Sequence, residues 1–263
     1  MQPLSFCLFI AFFSCNQQQK PPANPDASIT AREDISNSNP YPSIGSIPLP
    51  AGYARTPAAA GSYTAWLRSL PLKKNKTVFL YNGMPKANQS AQFAVIDIPV
   101  GNKDLQQCAD AVMRLYAEYR YSRQQFGDID FTDNAHTHYR LPAGAGRAAF
   151  DQYLEKVFSY CGTASLEKQL KAVPDFSLLQ AGDVLIKGGS PGHAMQVADV
   201  AVNKEGQKIY LLAQSYMPAQ DIHLVQNPLV PGLSPWYQAG NNTNIETPEW
   251  VFQKGQLRRW PSN

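Results

Sequence analysis

His193 follows the turn Gly188-Gly189-Ser190-Pro191-Gly192 and opens the apolar run Ala194-Met195-Gln196-Val197-Ala198. An imidazole held by a Gly/Pro turn at the start of a strand has a fixed backbone, which suits a general base. Two thiols lie upstream of it, Cys108 and Cys161. A thiol beside such an imidazole can give up its proton as it attacks a carbonyl carbon, provided a third group fixes the ring's orientation. Gln214, in Leu211-Leu212-Ala213-Gln214-Ser215 on the next predicted strand, can accept from the imidazole. Asp199 is the alternative orienting residue. Strand alternation puts His193, Met195, Val197 and Asp199 on one face, although Asp199 lies several residues farther along.

Of the two thiols, Cys108 has the better setting. Asp104 can cap a helix over residues 105–121 whose apolar stripe is Cys108, Val112, Leu115 and Tyr119, with Arg114 and Glu118 paired one turn apart. That places Cys108 near the helix N-terminus, where unpaired N–H groups favour a thiolate and lower its pKa. Cys161 closes a helix over residues 148–160, the end whose carbonyls oppose a thiolate. It is the alternative nucleophile, since a turn through Gly162 could set it ahead of a third helix capped by Thr163 or Ser165. In an exported protein the two cysteines could instead form one disulfide.

The elements that must position these groups are readable in outline. Residues 63–70 predict a short amphipathic helix stopped by Pro71. Residues 77–81 and 92–98 predict strands, joined as a hairpin by the Asn82-Gly83 turn signal. Residues 127–146, with His136 and His138, read as an irregular insertion on the rim of the site. Two histidines without a cysteine or carboxylate cluster predict no metal site, and no cofactor is expected. Strands over 183–186, 193–202 and 207–215 follow the helices. This partial segregation predicts an α+β fold with a small antiparallel sheet packed on a central helix.

The ends of the chain carry a different message. Residues 1–15 hold no charged side chain and are apolar from Leu4 to Phe13, too short for a bilayer span and suited to a signal-peptide core. Ser14-Cys15 followed by Asn16, Gln17, Gln18 and Gln19 resembles a bacterial lipoprotein signal, which implies lipidation of Cys15. Residues 16–50, rich in Gln, Pro, Asn and Ser, predict a disordered tether, leaving 51–263 as one domain. The chain is 263 residues long and 44% hydrophobic, enough for one full core. Its 23 basic and 20 acidic side chains give a net charge of only +3, with no strong basic cluster, so no nucleic-acid partner is expected.

A cysteine at a helix start, a Gly-Asp-Val strand, a Gly-His strand and a polar residue on the next strand make a layout that resembles the NlpC-type and CHAP cysteine amidases. The resemblance implies a papain-like core, Cys108 as nucleophile, His193 as base, Gln214 as its orienting group, and a cell-wall peptide or glycopeptide as substrate. Two features differ from that pattern: the local motif is Gln107-Cys108-Ala109-Asp110 rather than an Asp-Cys-Ser-Gly-like run, and Cys108 and His193 are farther apart in sequence. More closely, Gln107–Leu115, Gly162–Leu166, Gly189–Ala194 and Leu211–Gln220 resemble a lipoprotein family known as domain of unknown function 4846. That likeness implies a lipid-anchored location in the cell envelope, periplasmic or surface-facing, with the membrane as a partner through the anchor. The competing expectation is a binding lipoprotein on the same scaffold, with Tyr216, Trp236, Tyr237 and Trp250 supplying stacking faces for a peptide or glycan.

Overall fold

The computed structural model describes residues 37–240 and 243–261. The expected signal sequence, Cys15 and the expected tether up to residue 36 lie outside the described residues. Residues 37–50 do not behave as a tether. Ile44 and Ile47 are 0% and 1% exposed, packed with Leu67, Leu70 and Trp236, and Asn39 bonds to the carbonyls of Tyr41 and Lys73. Two isoleucines among the prolines are enough to dock this segment, because each buried side chain contributes about 1.5–3 kcal/mol.

Four α-helices occur among the described residues: α1 (Tyr63–Ser69), α2 (Cys108–Ser122), α3 (Arg147–Tyr160) and α4 (Thr163–Gln169). The strands are β1 (Tyr53–Arg55), β2 (Gln92–Val95), β3 (Asp130–Thr132), β4 (His138–Arg140), β5 (Lys171–Ala172), β6 (Val184–Lys187) and β7 (His193–Asn203). They continue as β8 (Lys208–Gln214), β9 (His223–Val225), β10 (Tyr237–Gln238), β11 (Asn244–Glu246), β12 (Val251–Gln253) and β13 (Leu257–Arg259). Nine of them form one sheet in the order β2-β9-β8-β7-β6-β13-β5, with β1 beside β7 and β10 beside β8. Each of its pairs is antiparallel. The fold is therefore α+β with an antiparallel sheet, as expected, although the sheet is larger than expected. The hairpin predicted from residues 77–81 and 92–98 does not form. Strand β2 pairs with β9, and the 77–81 segment makes only isolated bridges, Phe79 with Pro85 and Leu80 with Gln220.

Helix α1 starts where Ser62 accepts the Ala65 N–H, the side-chain cap that satisfies an otherwise orphaned donor. Helix α2 starts later than the sequence suggests. Its N-cap is Gln107, not Asp104, because the Asp104 carboxylate instead accepts the backbone N–H of Ala219 at 2.6 Å and the Gln107 side chain. Cys108 thus becomes the first residue of the helix. Arg114 and Glu118 pair at 2.9 Å as the one-turn spacing predicts.

Strand β7 is the spine of the molecule. Ala194 packs with Ala109, Met113 and Val157 of the helical layer. Met195 and Val197 point the other way, toward Phe252 and Leu257. Between Val197 and Asp199 the register against β8 slips, and an extra residue in a period-2 strand exchanges its faces. Val200 consequently stays with Met195 and Val197, while Ala198 and Ala201 join the helical side.

Candidate active site

A cleft of about 390 Å³ opens where β7 begins and β8 has just ended. Cys108, Asp110, Cys161, His193, Tyr216 and Trp250 are among the residues that line it. The structure therefore brings Cys108, Cys161 and His193 to one cavity, with Gln214 behind the imidazole. The loop that delivers His193 is tight. A Cβ on Gly192 would lie 2.4 Å from the Gly189 carbonyl oxygen and 2.7 Å from that of Lys187, so only glycine fits. Residues 127–146 line no part of this cleft. They form the β3-β4 hairpin instead, which corrects their placement on the rim.

His193 is 1% exposed and its ring is walled by Tyr216, Trp250 and Phe252, with centroids 4.8, 5.3 and 5.8 Å away. Its Nε2 lies 2.9 Å from Gln214 Oε1. The other end of that amide decides the proton's place. Gln214 Nε2 donates to Glu249 at 2.7 Å and faces His223 Nε2 at 3.3 Å. His223 Nδ1 meets the Asp221 carbonyl at 2.9 Å, which can only accept, so His223 Nε2 is an acceptor too. Both amide hydrogens of Gln214 are thereby used, its oxygen faces His193, and His193 carries its proton on Nε2. Nδ1 is left with a lone pair and no hydrogen-bond partner among the described residues. Lys86 completes the network by donating to Glu249 at 2.5 Å.

Burial drives His193 down to about 4, with the hydrogen bond to Gln214 and the charge of Glu249 pulling upward. Its imidazole is neutral at physiological pH and is available as a base. Cys108 does not follow the helix-terminus expectation. Burial, followed by the charge of Asp110, pushes the thiol up to about 11, against the opposing backbone N–H groups of Ala194, Ala109 and Cys108. At 9% exposure desolvation of the anion outweighs the helix end. No hydrogen bond joins Cys108 Sγ to His193 among the described residues. The sulfur instead lies among the backbone N–H groups of Ala194, Ala109 and Cys108 itself.

Cys161 lies beyond the last turn of α3, its N–H bonded to the Val157 carbonyl. Burial and the carboxylates of Asp133 and Asp110 push its thiol up to about 12. Both cysteines are free, so the disulfide considered from sequence is not formed. Asp199 does not orient His193. The bulge turns it to the helical side, where Arg55 and Arg68 each hold it at 2.7 Å. Trp236 and Tyr237 are also removed from the list of stacking candidates, since both are core residues, and only Tyr216 and Trp250 reach the cleft.

Residues 45–259 match the family described as domain of unknown function (4846). The chain belongs to that family. No curated protein and no solved structure matches it. The family match spans the whole helical layer and sheet, and it includes every residue of the cleft described above.

Several residues of this family member's site were not singled out from sequence: Asp110, His223, Glu249 and Lys86. His223 carries a readable signal, a polar residue in the apolar run Ile222-His223-Leu224-Val225, where an unpaired side chain would be costly. Asp110 stands in the first turn of α2 and caps it by accepting the Gln107 N–H at 2.9 Å. Glu249 and Lys86 sit in irregular segments with no periodic signal, and only the tertiary fold brings them to Gln214.

Proposed function

We propose that this protein is an exported, lipid-anchored cysteine amidase or peptidase acting on a cell-wall peptide or related amide, with a papain-like division of labour among Cys108, His193 and Gln214. One observation carries this reading: the Gln214-Glu249-His223 network fixes His193 with its Nδ1 lone pair unengaged, and His193 and Cys108 line the same cleft. A buried polar network has to satisfy each member at a desolvation cost. This one leaves free the one atom that a general base needs.

In the reaction, the sulfur of Cys108 forms a bond to the substrate carbonyl carbon as its proton passes to His193 Nδ1. The oxyanion is received by backbone N–H groups at the start of α2, where Cys108 and Ala109 have no intrahelical acceptor. Collapse breaks the C–N bond, and the imidazolium returns its proton to the leaving amine. Water, deprotonated by the same Nδ1, then attacks the thioester, the C–S bond breaks and the thiol is re-formed. Because thiol and imidazole are both neutral at rest, proton transfer accompanies attack, and the two groups close to hydrogen-bond distance only with substrate in place. Lipid attachment at Cys15 would hold the domain in the cell envelope.

A second reading has its own support. The raised Cys108 thiol and lowered His193 imidazole are also what an inert, peptide- or glycan-binding cleft would show, with Tyr216 and Trp250 as stacking faces. The two readings separate on incubation of the full-length protein with peptidoglycan stem peptides, followed by mass spectrometry. Cleavage that is lost in both Cys108→Ser and His193→Ala supports hydrolysis. Binding without cleavage, unchanged by Cys108→Ser, establishes the second reading and overturns the first.

A further inference from the structure

Three features of the cleft go beyond the nucleophile and base. Asp110 is 6% exposed, lines the cleft, and has one oxygen, Oδ1, buried with no hydrogen-bond partner. Its other oxygen is engaged by the Gln107 N–H, so helix capping explains only half of the carboxyl group. A buried acceptor left unpaired carries an uncompensated desolvation cost, larger when it is charged, which singles out Oδ1 as a group waiting for a donor. Asp104 also lines the cleft, and no lysine or arginine does among the described residues, although the chain carries 23 basic side chains. The third feature is aromatic. Trp250, Tyr216 and Phe158 line the same cavity, and their ring faces attract cations.

We propose that the cleft takes a ligand bearing a protonated amine close to the group that meets Cys108, and that Asp110 is the residue that receives this amine. Two carboxyl groups with no lysine or arginine in the lining disfavour an anionic ligand, and a neutral N–H or O–H would give Oδ1 a donor without a compensating charge. An ammonium fits all three features. It supplies the missing donor, neutralises the carboxylate and lies against aromatic faces. Applied to the amidase reading, on which this substrate class rests, the ligand is a peptide with a free amino group near the scissile carbonyl. Burial holds the Asp110 carboxyl well above the usual carboxylate range, and an ammonium beside Oδ1 would favour its ionised form.

Binding of L-alanyl-L-alaninamide and of its N-acetyl derivative to the full-length protein, followed by ligand-observed NMR, tests the inference. The free amine should bind about tenfold or more tightly than the acetylated compound, the value of a charge-assisted hydrogen bond. Asp110→Asn keeps an oxygen for the Gln107 N–H and should abolish the difference. Should that variant fail to fold, the comparison of the two compounds on the wild-type protein still decides. Equal binding of both compounds, binding of neither at millimolar concentration, or a folded Asp110→Asn protein that still discriminates would overturn the inference. Cys108→Ser should discriminate like the wild type. Discrimination retained in a protein that cleaves nothing would sink the hydrolase reading while leaving the amine site intact.

Discussion

His193 and Gln214 are joined by a hydrogen bond of 2.9 Å whose direction is set by residues that do not touch the imidazole. Glu249 takes one amide hydrogen of Gln214, and His223, itself fixed by the Asp221 carbonyl, takes the other. The glutamine therefore has no freedom to flip, and the tautomer of His193 is decided two residues away. Outer partners of this kind orient a functional ring as effectively as its immediate neighbour.

The tautomer is directly measurable. Nitrogen-15 NMR of the histidine side chains should show His193 as the Nε2-protonated form throughout the neutral range. In Gln214→Ala the ring loses its acceptor, and a mixture of tautomers should appear together with a fall in any peptide cleavage of about tenfold to a hundredfold. A single unchanged tautomer in that variant would show that the ring is held by its aromatic walls alone.

Acid should unfold this protein earlier than a chain of its size with exposed histidines. Burial holds His193 down at about 4 and His223 at about 3, whereas an unfolded histidine titrates near 6.5. Below about pH 6.5 the unfolded chain takes up protons that the native state refuses, so stability falls as pH drops through the range 6.5 to about 3. Thermal melts between pH 7 and pH 4 should show this decline. Replacing His223 with Asn, which titrates nowhere in that range, should flatten it at some cost in stability at neutral pH. A melting temperature independent of pH in the wild type would contradict the burial of both rings.

Much of this arrangement was legible in the sequence, and the missing parts have physical causes. The turn before His193, the helix behind Cys108 and the strand bearing Gln214 all announced themselves by local periodicity and turn chemistry. Strand pairing did not, because Gln92–Val95 finds its partner, His223–Val225, more than a hundred residues away, and the nearer Asn82-Gly83 signal was the more visible one. The bulge at Ala198 was equally silent. Strict alternation carried through it predicts Asp199 on the His193 face, and the register shift between Val197 and Asp199 places it on the other. The helix end at Cys108 predicts a lowered thiol pKa because it is a local feature, whereas the desolvation that raises it depends on what packs around the sulfur. The two isoleucines of the Pro-rich segment were outvoted by their polar neighbours, although burial counts side chains individually and takes no account of the average composition.

Asp199 has a structural role that can be separated from the site. Its side chain is 0% exposed and each oxygen meets one guanidinium, Arg55 or Arg68. Removing both arginines strands a buried carboxylate, and Arg55→Ala/Arg68→Ala should cost about 3–5 kcal/mol in denaturant unfolding. Either single variant should cost less, since the remaining arginine still pairs. None of these changes should alter the His193 tautomer. A shift in that NMR signal would reconnect Asp199 to the imidazole.

Gly192 ties the backbone to the chemistry most tightly. A methyl group there meets two carbonyl oxygens, at 2.4 and 2.7 Å, and Thr163 Oγ1 at 2.6 Å. The hydroxyl can turn away, but the carbonyls belong to the same turn and cannot, so Gly192→Ala must shift the loop that carries His193. The expected result is a loss of about 1–3 kcal/mol, as for other overpacked sites, together with loss of the single His193 tautomer, because a displaced ring no longer reaches Gln214. Gly162 lines the same cleft, has nothing within 4 Å of an added Cβ and sits in extended backbone at φ −157°. Gly162→Ala should leave both properties unchanged. If Gly192→Ala melts like the wild type with the tautomer intact, the turn does not hold the imidazole, and its position would have to be credited to the ring contacts with Tyr216, Trp250 and Phe252.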